Sequence, residues 1–348
     1  MRVSLNKIRW STALYGLLTF LVLMLFVSVG VVYFVPRTSS VVQSFAEKTP
    51  FPVVIVGYRE AISFRELAEN MRAIRRFYEN QDFSKVGLRV DFSTDDGKKR
   101  LKVREKEVLN KMIEDAVIVN IAKERGIFVS TEMARQGVAR KLEEYGNSKE
   151  VQANLQRLYG WKLADFEEKV VVPSLYEEKL NESFMKEVDP VSVAKAKIEK
   201  ATEALRGGTG FSEVVKQFSE GQTADQGGDL GWFALPDLAP ELRSPVASQK
   251  VGVVGSVIES SLGFHIVLVE EVKKEKDGQL YHIKQIFVRK TTFADWLSEK
   301  MKTRSILIVD PQYQFDATTA RVEFRDEAWR TYEEELFKKA SGDASFFF

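Results

Sequence analysis

The chain has 348 residues, with 51 Lys and Arg against 50 Asp and Glu and a net charge of +1. So balanced a chain has little long-range pull on a polyanion and shows no stripe of interleaved basic and aromatic residues, so nucleic acid is not an expected partner. Cysteine is absent, which excludes disulfides, zinc-thiolate sites, iron–sulfur clusters and a cysteine nucleophile; two histidines, His265 and His282, leave little material for a histidine metal site, so neither metal nor cofactor is expected. With 44% hydrophobic and 29% charged residues the chain reads as folded, and its length suits about two domains.

Residues 12–35 carry no charge. As a helix they would reach about 36 Å, enough for a hydrocarbon core of about 30 Å. The alternative is a cleaved signal peptide, but the apolar stretch exceeds the usual h-region of about 7–15 residues and no small-x-small site follows. Arg2, Lys7 and Arg9 precede it, whereas Arg37 and Lys48 are the nearest basic residues after it. The expectation is a single-pass plasma-membrane anchor, with residues 1–11 cytoplasmic and all later domains extracytoplasmic.

Residues 36–50 read as a linker. An apolar run over residues 51–56, closed by Gly57, reads as a buried strand. Ser63 and Glu66 have capping-box spacing and open a helix containing Leu67, Met71 and Ile74. Residues 91–100 read as a solvated loop; Asp91, Asp95, Asp96 and Gly97 do not follow the order of a calcium-binding EF-hand. Val108, Leu109, Met112, Ile113, Ala116, Val117 and Ile121 then fall at helical spacing, up to Gly126. Further helices are expected from Ser130 through Leu142, over 151–159 ahead of Gly160, and over 163–180. Residues 51–185 thus form a helical domain with one leading strand. Its apolar stripes serve core packing, or leave a shared groove for a client segment.

Beyond Pro190 a helix is expected over 193–205, a second from Phe211, and a strand over 263–269. The intervening glycines fit neither a Walker nor a dinucleotide-binding pattern. A further strand is expected over 281–288, a helix over 292–302 and a strand over 305–309. The three aromatics that close the chain, Phe346 to Phe348, suit either a partner-binding peptide or a frayed end.

Residues 193–270 resemble the parvulin family of peptidyl-prolyl isomerases. The resemblance rests on an ordered string: Leu205-x-Gly-Gly-x-Gly-Phe211, Phe218-Ser219, Gly227-Gly-Asp-Leu-Gly-Trp-Phe233, Leu238-Ala-Pro-Glu-Leu242, Val251-Gly252-x-Val254 and Ser260-x-x-Gly-Phe-His-Ile266. Upstream, Val54-Ile-Val-Gly57, Val108-Leu-x-x-Met-Ile113 and Ala122-x-x-x-Gly126-Ile-x-Val-Ser130 resemble the helical chaperone domain of SurA-like and PrsA-like foldases. The implied fold is α+β: a transmembrane helix, a SurA-like helical domain over 51–185, and a parvulin-like domain with a small antiparallel sheet over 190–290. Residues 291–348 add a C-terminal helix, strand and tail.

The resemblance implies cis/trans exchange of X-Pro bonds in unfolded or exported polypeptides. The uncatalysed barrier is about 18–20 kcal/mol. Exchange breaks no covalent bond, so the chemistry asks for a grip on proline and room for the carbonyl to rotate. Carried over by position, His265 takes the family's strand histidine and Ser260 its hydroxyl residue, with Gln285 in place of a first histidine. Leu238, Leu242 and Phe264, with Trp232 and Phe233, take substrate-binding positions. His265 either takes part in exchange or only holds the sheet together.

Three departures stand out. The family's Asp or Cys after the Phe-Ser pair is Gly221 here, and the adjacent Glu220 points elsewhere. No His-Ile-Leu-Val strand precedes the first helix. A similar strand follows instead, at 281–288. A circular permutation is therefore expected, in which that strand fills the slot, because an empty central slot would leave backbone hydrogen bonds open. Period-two alternation puts His282 on the face opposite Gln285. Two functions follow: a membrane-anchored foldase with isomerase activity, or a parvulin-fold chaperone or scaffold that has lost the chemistry.

Overall fold

The computed structural model describes residues 10–35, 40–58, 60–81, 91–275 and 278–340. The chain divides into two compact units. One comprises Met1–Leu180 with Leu297–Phe348, and the other, Asn181–Trp296, is inserted within it.

In the first unit, α1 (Trp10–Phe34) is the one helix, among the described residues, long and apolar enough to cross a membrane. Its side chains are exposed from Leu14 to Val27, but Ser28 to Tyr33 are half-buried or buried, and Val32 is 1% exposed. The Tyr33 hydroxyl donates to the Pro52 carbonyl at 2.8 Å, and its ring meets Phe51 and Phe64. The last turns of the expected anchor therefore belong to the folded unit. The expected linker also differs: Ser40–Lys48 form a short amphipathic helix, α2.

A three-stranded sheet follows, with β1 (Pro52–Val56) between β2 (Glu60–Ser63) and β7 (Ile306–Ile308), both antiparallel to it. β7 is the strand expected at 305–309; its pairing with β1 carries no local sequence signal. Ser63 caps α3 (Phe64–Asn80) through the capping box: Glu66 N donates to Ser63 Oγ at 3.2 Å, and Ser63 N to Glu66 Oε2 at 2.7 Å.

Helix α4 (Asp95–Glu124) begins inside the stretch expected as a loop. Thr94 accepts from Gly97 N at 3.0 Å, and Asp95 and Asp96 sit in the first turn, where carboxylates favour the exposed N–H groups. The polar residues read as loop thus serve as a helix start. The core of this region comes from α5 (Thr131–Tyr145), α6 (Ser148–Asn154), α7 (Leu163–Phe166), two π-helical turns and the start of α8 (Val172–Val188). Val138, Leu142, Leu155, Phe166, Val171 and Leu175 close it. A hairpin of β8 (Tyr313–Asp316) and β9 (Arg321–Phe324), then α13 (Glu327–Ala340), complete the unit. The three terminal aromatics lie outside the described residues.

The inserted unit runs through α9 (Pro190–Arg206), α10 (Phe211–Phe218), β3 (Asp229–Ala234), α11 (Pro240–Ser248), β4 (Val254–Glu259), β5 (Gly263–Glu275) and β6 (Gly278–Arg289), ending in the first turn of α12 (Phe293–Lys302). The strands form one antiparallel sheet in the order β3-β6-β5-β4. β6, which contains the expected 281–288 strand, fills the central slot and pairs with β5 from Gly263↔Arg289 to Glu275↔Gly278. That is the pairing required by the permuted reading.

Alternation along β5 and β6 separates two cores. Phe264, Ile266, Ile286 and Val288 pack under α9 and α10 with Ala194, Ile198, Val214 and Val215. Val267, Val269, Tyr281 and Ile283 face the other way and pack with Leu238, Leu242 and Val246. Each apolar side chain removed from water adds about 1.5–3 kcal/mol, so the two faces together hold the sheet.

Candidate active site

His265 stands on β5, facing the Leu238–Leu242 side of the sheet, and is 6% exposed. Both ring nitrogens are engaged. Nε2 lies 2.7 Å from Ser260 Oγ and Nδ1 lies 2.6 Å from Gln285 Nε2. An amide nitrogen is a hydrogen-bond donor, so the Gln285 N–H donates a hydrogen bond to Nδ1 as acceptor, which goes with the ring tautomer whose proton is on Nε2, directed at Ser260. Ser260 then donates to the Gly263 carbonyl at 3.2 Å and accepts from Leu262 N and Gly263 N. Burial holds His265 below its ordinary pKa, against a smaller upward pull from the Glu241 carboxylate. The neutral ring is the form that this hydrogen-bond pattern suits.

The backbone explains why these residues meet. Gly263 opens β5 so close to β6 that an added Cβ would collide with the Val288 carbonyl. That closeness sets the register His265↔Phe287 and Val267↔Gln285. Gly228 has φ +82° and a Cβ there would lie 2.5 Å from the Gln285 carbonyl; Gln285 N donates to Gly228 O at 2.9 Å instead. The glycines of the Gly-Gly-Asp and Gly-Phe-His strings thus position Gln285 and His265.

Beside this pair a shallow pocket is lined by Gly221, Thr223, Leu230, Gln285, Phe287 and Arg289. The segment before it is fixed along β6. Phe287 N donates to Ser219 Oγ at 3.1 Å, and Glu220 N donates to Phe287 O at 2.7 Å. Glu220, which also lines the pocket, accepts from Arg289 N and pairs with Lys197 at 2.5 Å, so its carboxylate is already engaged. A Cβ on Gly221 would meet only Ser219 Oγ at 3.6 Å and Phe287 Cβ at 3.7 Å, ordinary contacts.

The structure brings His265, Ser260 and Gln285 together. Leu238 and Leu242 share their side of the sheet, each 7% exposed, with Phe233 packed against the same core. Arg243 ties this segment down by donating to the Leu238 and Pro236 carbonyls. Phe264 does not join them: it is 4% exposed in the core on the opposite face. Trp232 is also opposite, 41% exposed and tilted over His282 at 5.2 Å. His282 bridges Asp229 and Glu270 at 3.2 and 3.3 Å, on the face that alternation assigned to it. Phe287 was missed. Its ring lies 4.8 Å from that of His265, and its place two residues after Gln285 was the available signal.

Residues 182–271 match the PPIC-type PPIASE domain family, and residues 8–170 match the SurA-like N-terminal domain family. The first match ends before β6, so the strand that carries Gln285 lies outside it. Chaperone SurA of Chromobacterium violaceum is 33% identical over 113 residues, covering 30% of this chain and 26% of the relative. Chaperone SurA of Nitrosococcus oceani is 25% identical over 217 residues, 51% of each. Foldase protein PrsA 1 of Bacillus cereus is 28% identical over 114 residues, covering 32% of this chain and 40% of the relative. The chain therefore spans between about a quarter and a half of these relatives. The chain thus combines a SurA-like N-terminal domain with a parvulin-type PPIC domain, and is similar over part of its length to SurA and PrsA proteins.

Proposed function

We propose that the protein is a membrane-anchored extracytoplasmic foldase that exchanges cis and trans X-Pro bonds in unfolded or exported chains and holds those chains through its helical unit. The observation that carries this reading is the buried, neutral His265, held at both ring nitrogens by Ser260 and Gln285 beside the pocket at Gly221 and Phe287. The amide bond resists rotation because its C–N bond has partial double-bond character. A site that seats the proline ring against Leu238 and Leu242 and removes water from its carbonyl lowers that resistance without bond making. His265 acts here as a rigid dipole. With Ser260 it keeps the β4–β5 turn closed, and with Gln285 it fixes the wall along which the carbonyl turns.

The anchored arrangement is supported by the charge-free apolar face of α1 and by the basic residues before it. The test is proline exchange on a short peptide, followed by magnetisation-exchange NMR without a coupling protease, with the full chain in detergent micelles. Exchange above background that is lost in His265→Ala supports the isomerase; background exchange from folded protein refutes it. A second reading is favoured by Gly221 and Gln285, which remove an acidic side chain and a histidine from the family's site. In that reading the chain suppresses client aggregation with equal strength in wild type and His265→Ala, and catalyses no exchange.

A further inference from the structure

Helix α1 and helix α2 enclose an apolar groove within the first unit. Phe20, Met24, Val27 and Val31 line it from α1, and Val42 and Phe45 from α2. The opposite side of α2 is clamped to the unit: Ala46 is 2% exposed, Glu47 lies 3.6 Å from Arg72, and the Lys48 carbonyl accepts from Arg65 at 2.5 Å. Phe45 nevertheless stays 39% exposed, and every α1 residue from Leu14 to Val27 is exposed. From Trp10 to Val27 the helix measures about 27 Å, close to a hydrocarbon thickness of about 30 Å. The groove lies at the upper end of that stretch, where α1 enters the folded unit.

We infer that α2 is a second membrane contact, with Val42 and Phe45 set into the bilayer edge and lipid acyl chains filling the groove against α1. The inference rests on the anchored reading above. Two observations select lipid over a partner helix. Helix pairs in membranes approach through small residues, yet this lining is mostly Phe, Leu, Met and Val, with Ser28 its one small residue, a surface suited to flexible chains. The groove is also continuous with the exposed face of α1, so whatever medium surrounds that face reaches Phe45 without a boundary. A short helix with one apolar side and one side engaged in polar contacts lies in the plane of such an interface.

The chain has no cysteine, so single nitroxide labels can be placed without background. Labels at Phe45→Cys and, independently, Val42→Cys are read on the full chain in phosphatidylcholine–phosphatidylglycerol vesicles. Met24→Cys gives a reference inside the span and the fully exposed Tyr58→Cys an aqueous one. The expected result is relaxation of the labels at 45 and 42 by oxygen, with loss of relaxation by a nickel chelate, at a depth shallower than 24. Nickel access at 45 and 42 equal to that at 58, with 24 still shielded, overturns the inference and leaves the anchor standing. Nickel access at 24 overturns the anchored reading itself. Dipolar broadening at 45 that disappears on dilution with unlabelled chain puts a second copy in the groove and overturns the lipid assignment.

Discussion

Replacing Gly221 by Asp tests the site geometry most directly. The position has an ordinary φ, and its Cβ would meet Ser219 Oγ and Phe287 Cβ at 3.6 and 3.7 Å, so the side chain enters without strain. Gly221 lines the same pocket as Gln285, whose amide nitrogen is 2.6 Å from His265 Nδ1. At a separation of about 6 Å from the imidazole, a carboxylate there would be worth about 0.7 kcal/mol at a dielectric of 80 and about 3 kcal/mol at 20. The protonation equilibrium of His265 should therefore shift toward the cation by roughly 3- to 100-fold. Gln285 can turn its amide to accept from Nδ1–H, so the cation finds a partner. The measurement is an NMR titration of the two histidine rings, with His282→Asn used for assignment. An upward move of the His265 midpoint, accompanied by faster proline exchange, is expected. An unmoved midpoint in a folded variant would refute the placement of Gly221 against the His265–Gln285 pair.

Stability should respond to the same ring. Burial lowers the His265 pKa in the folded state, so below about pH 6.5 the unfolded chain takes up a proton that the native chain declines. Stability is thus full above that pH and falls as pH drops through it, and His265→Asn should flatten this part of the profile in denaturant titrations. Gly263→Ala should lower stability by about 1–3 kcal/mol or more, because its methyl meets strand backbone that cannot yield; an unchanged thermal midpoint would contradict the strand spacing. Removing residues 1–36 takes Val32 and Tyr33 from the first unit, whereas removing 1–27 keeps them. The shorter chain should be less stable by about 2–5 kcal/mol, the worth of one buried and one half-buried side chain, and equal midpoints would place α1 outside the core.

Sequence reading succeeded where the signal is local. Ser63 and Glu66 announce a capping box that the structure contains, and period-two alternation places His282 on the face opposite Gln285, where it lies. It failed where chemistry is shared between states. Thr94, Asp95 and Asp96 suit a loop as well as a helix start, and only the length of α4 behind them decides. Residues 40–48 are too short a helix to stand alone, and form one because α3 and α1 flank it. His265, Ser260 and Gln285 were legible as a group through resemblance. The opposite placement of Phe264 and Trp232 was readable from their alternation with His265 and Phe233, a count that the motif string obscured.

The insertion of one unit in the other sets an order of assembly. Residues 181–296 are a contiguous run and can close as soon as they emerge. β1 pairs with β2 at once, but its second edge waits for Ile306–Ile308, some 250 residues later. At about 5–20 residues per second that wait is on the order of 10–50 s. For that interval Val54 and Ile55 present an open strand edge, the kind of template on which nascent chains join one another. The unit that matches the PPIC-type domain is then complete on the same polypeptide before the unit that matches the SurA-like N-terminal domain is. A nascent chain of this protein therefore passes through a stage in which its inserted unit is closed while the sheet of its first unit still lacks a strand.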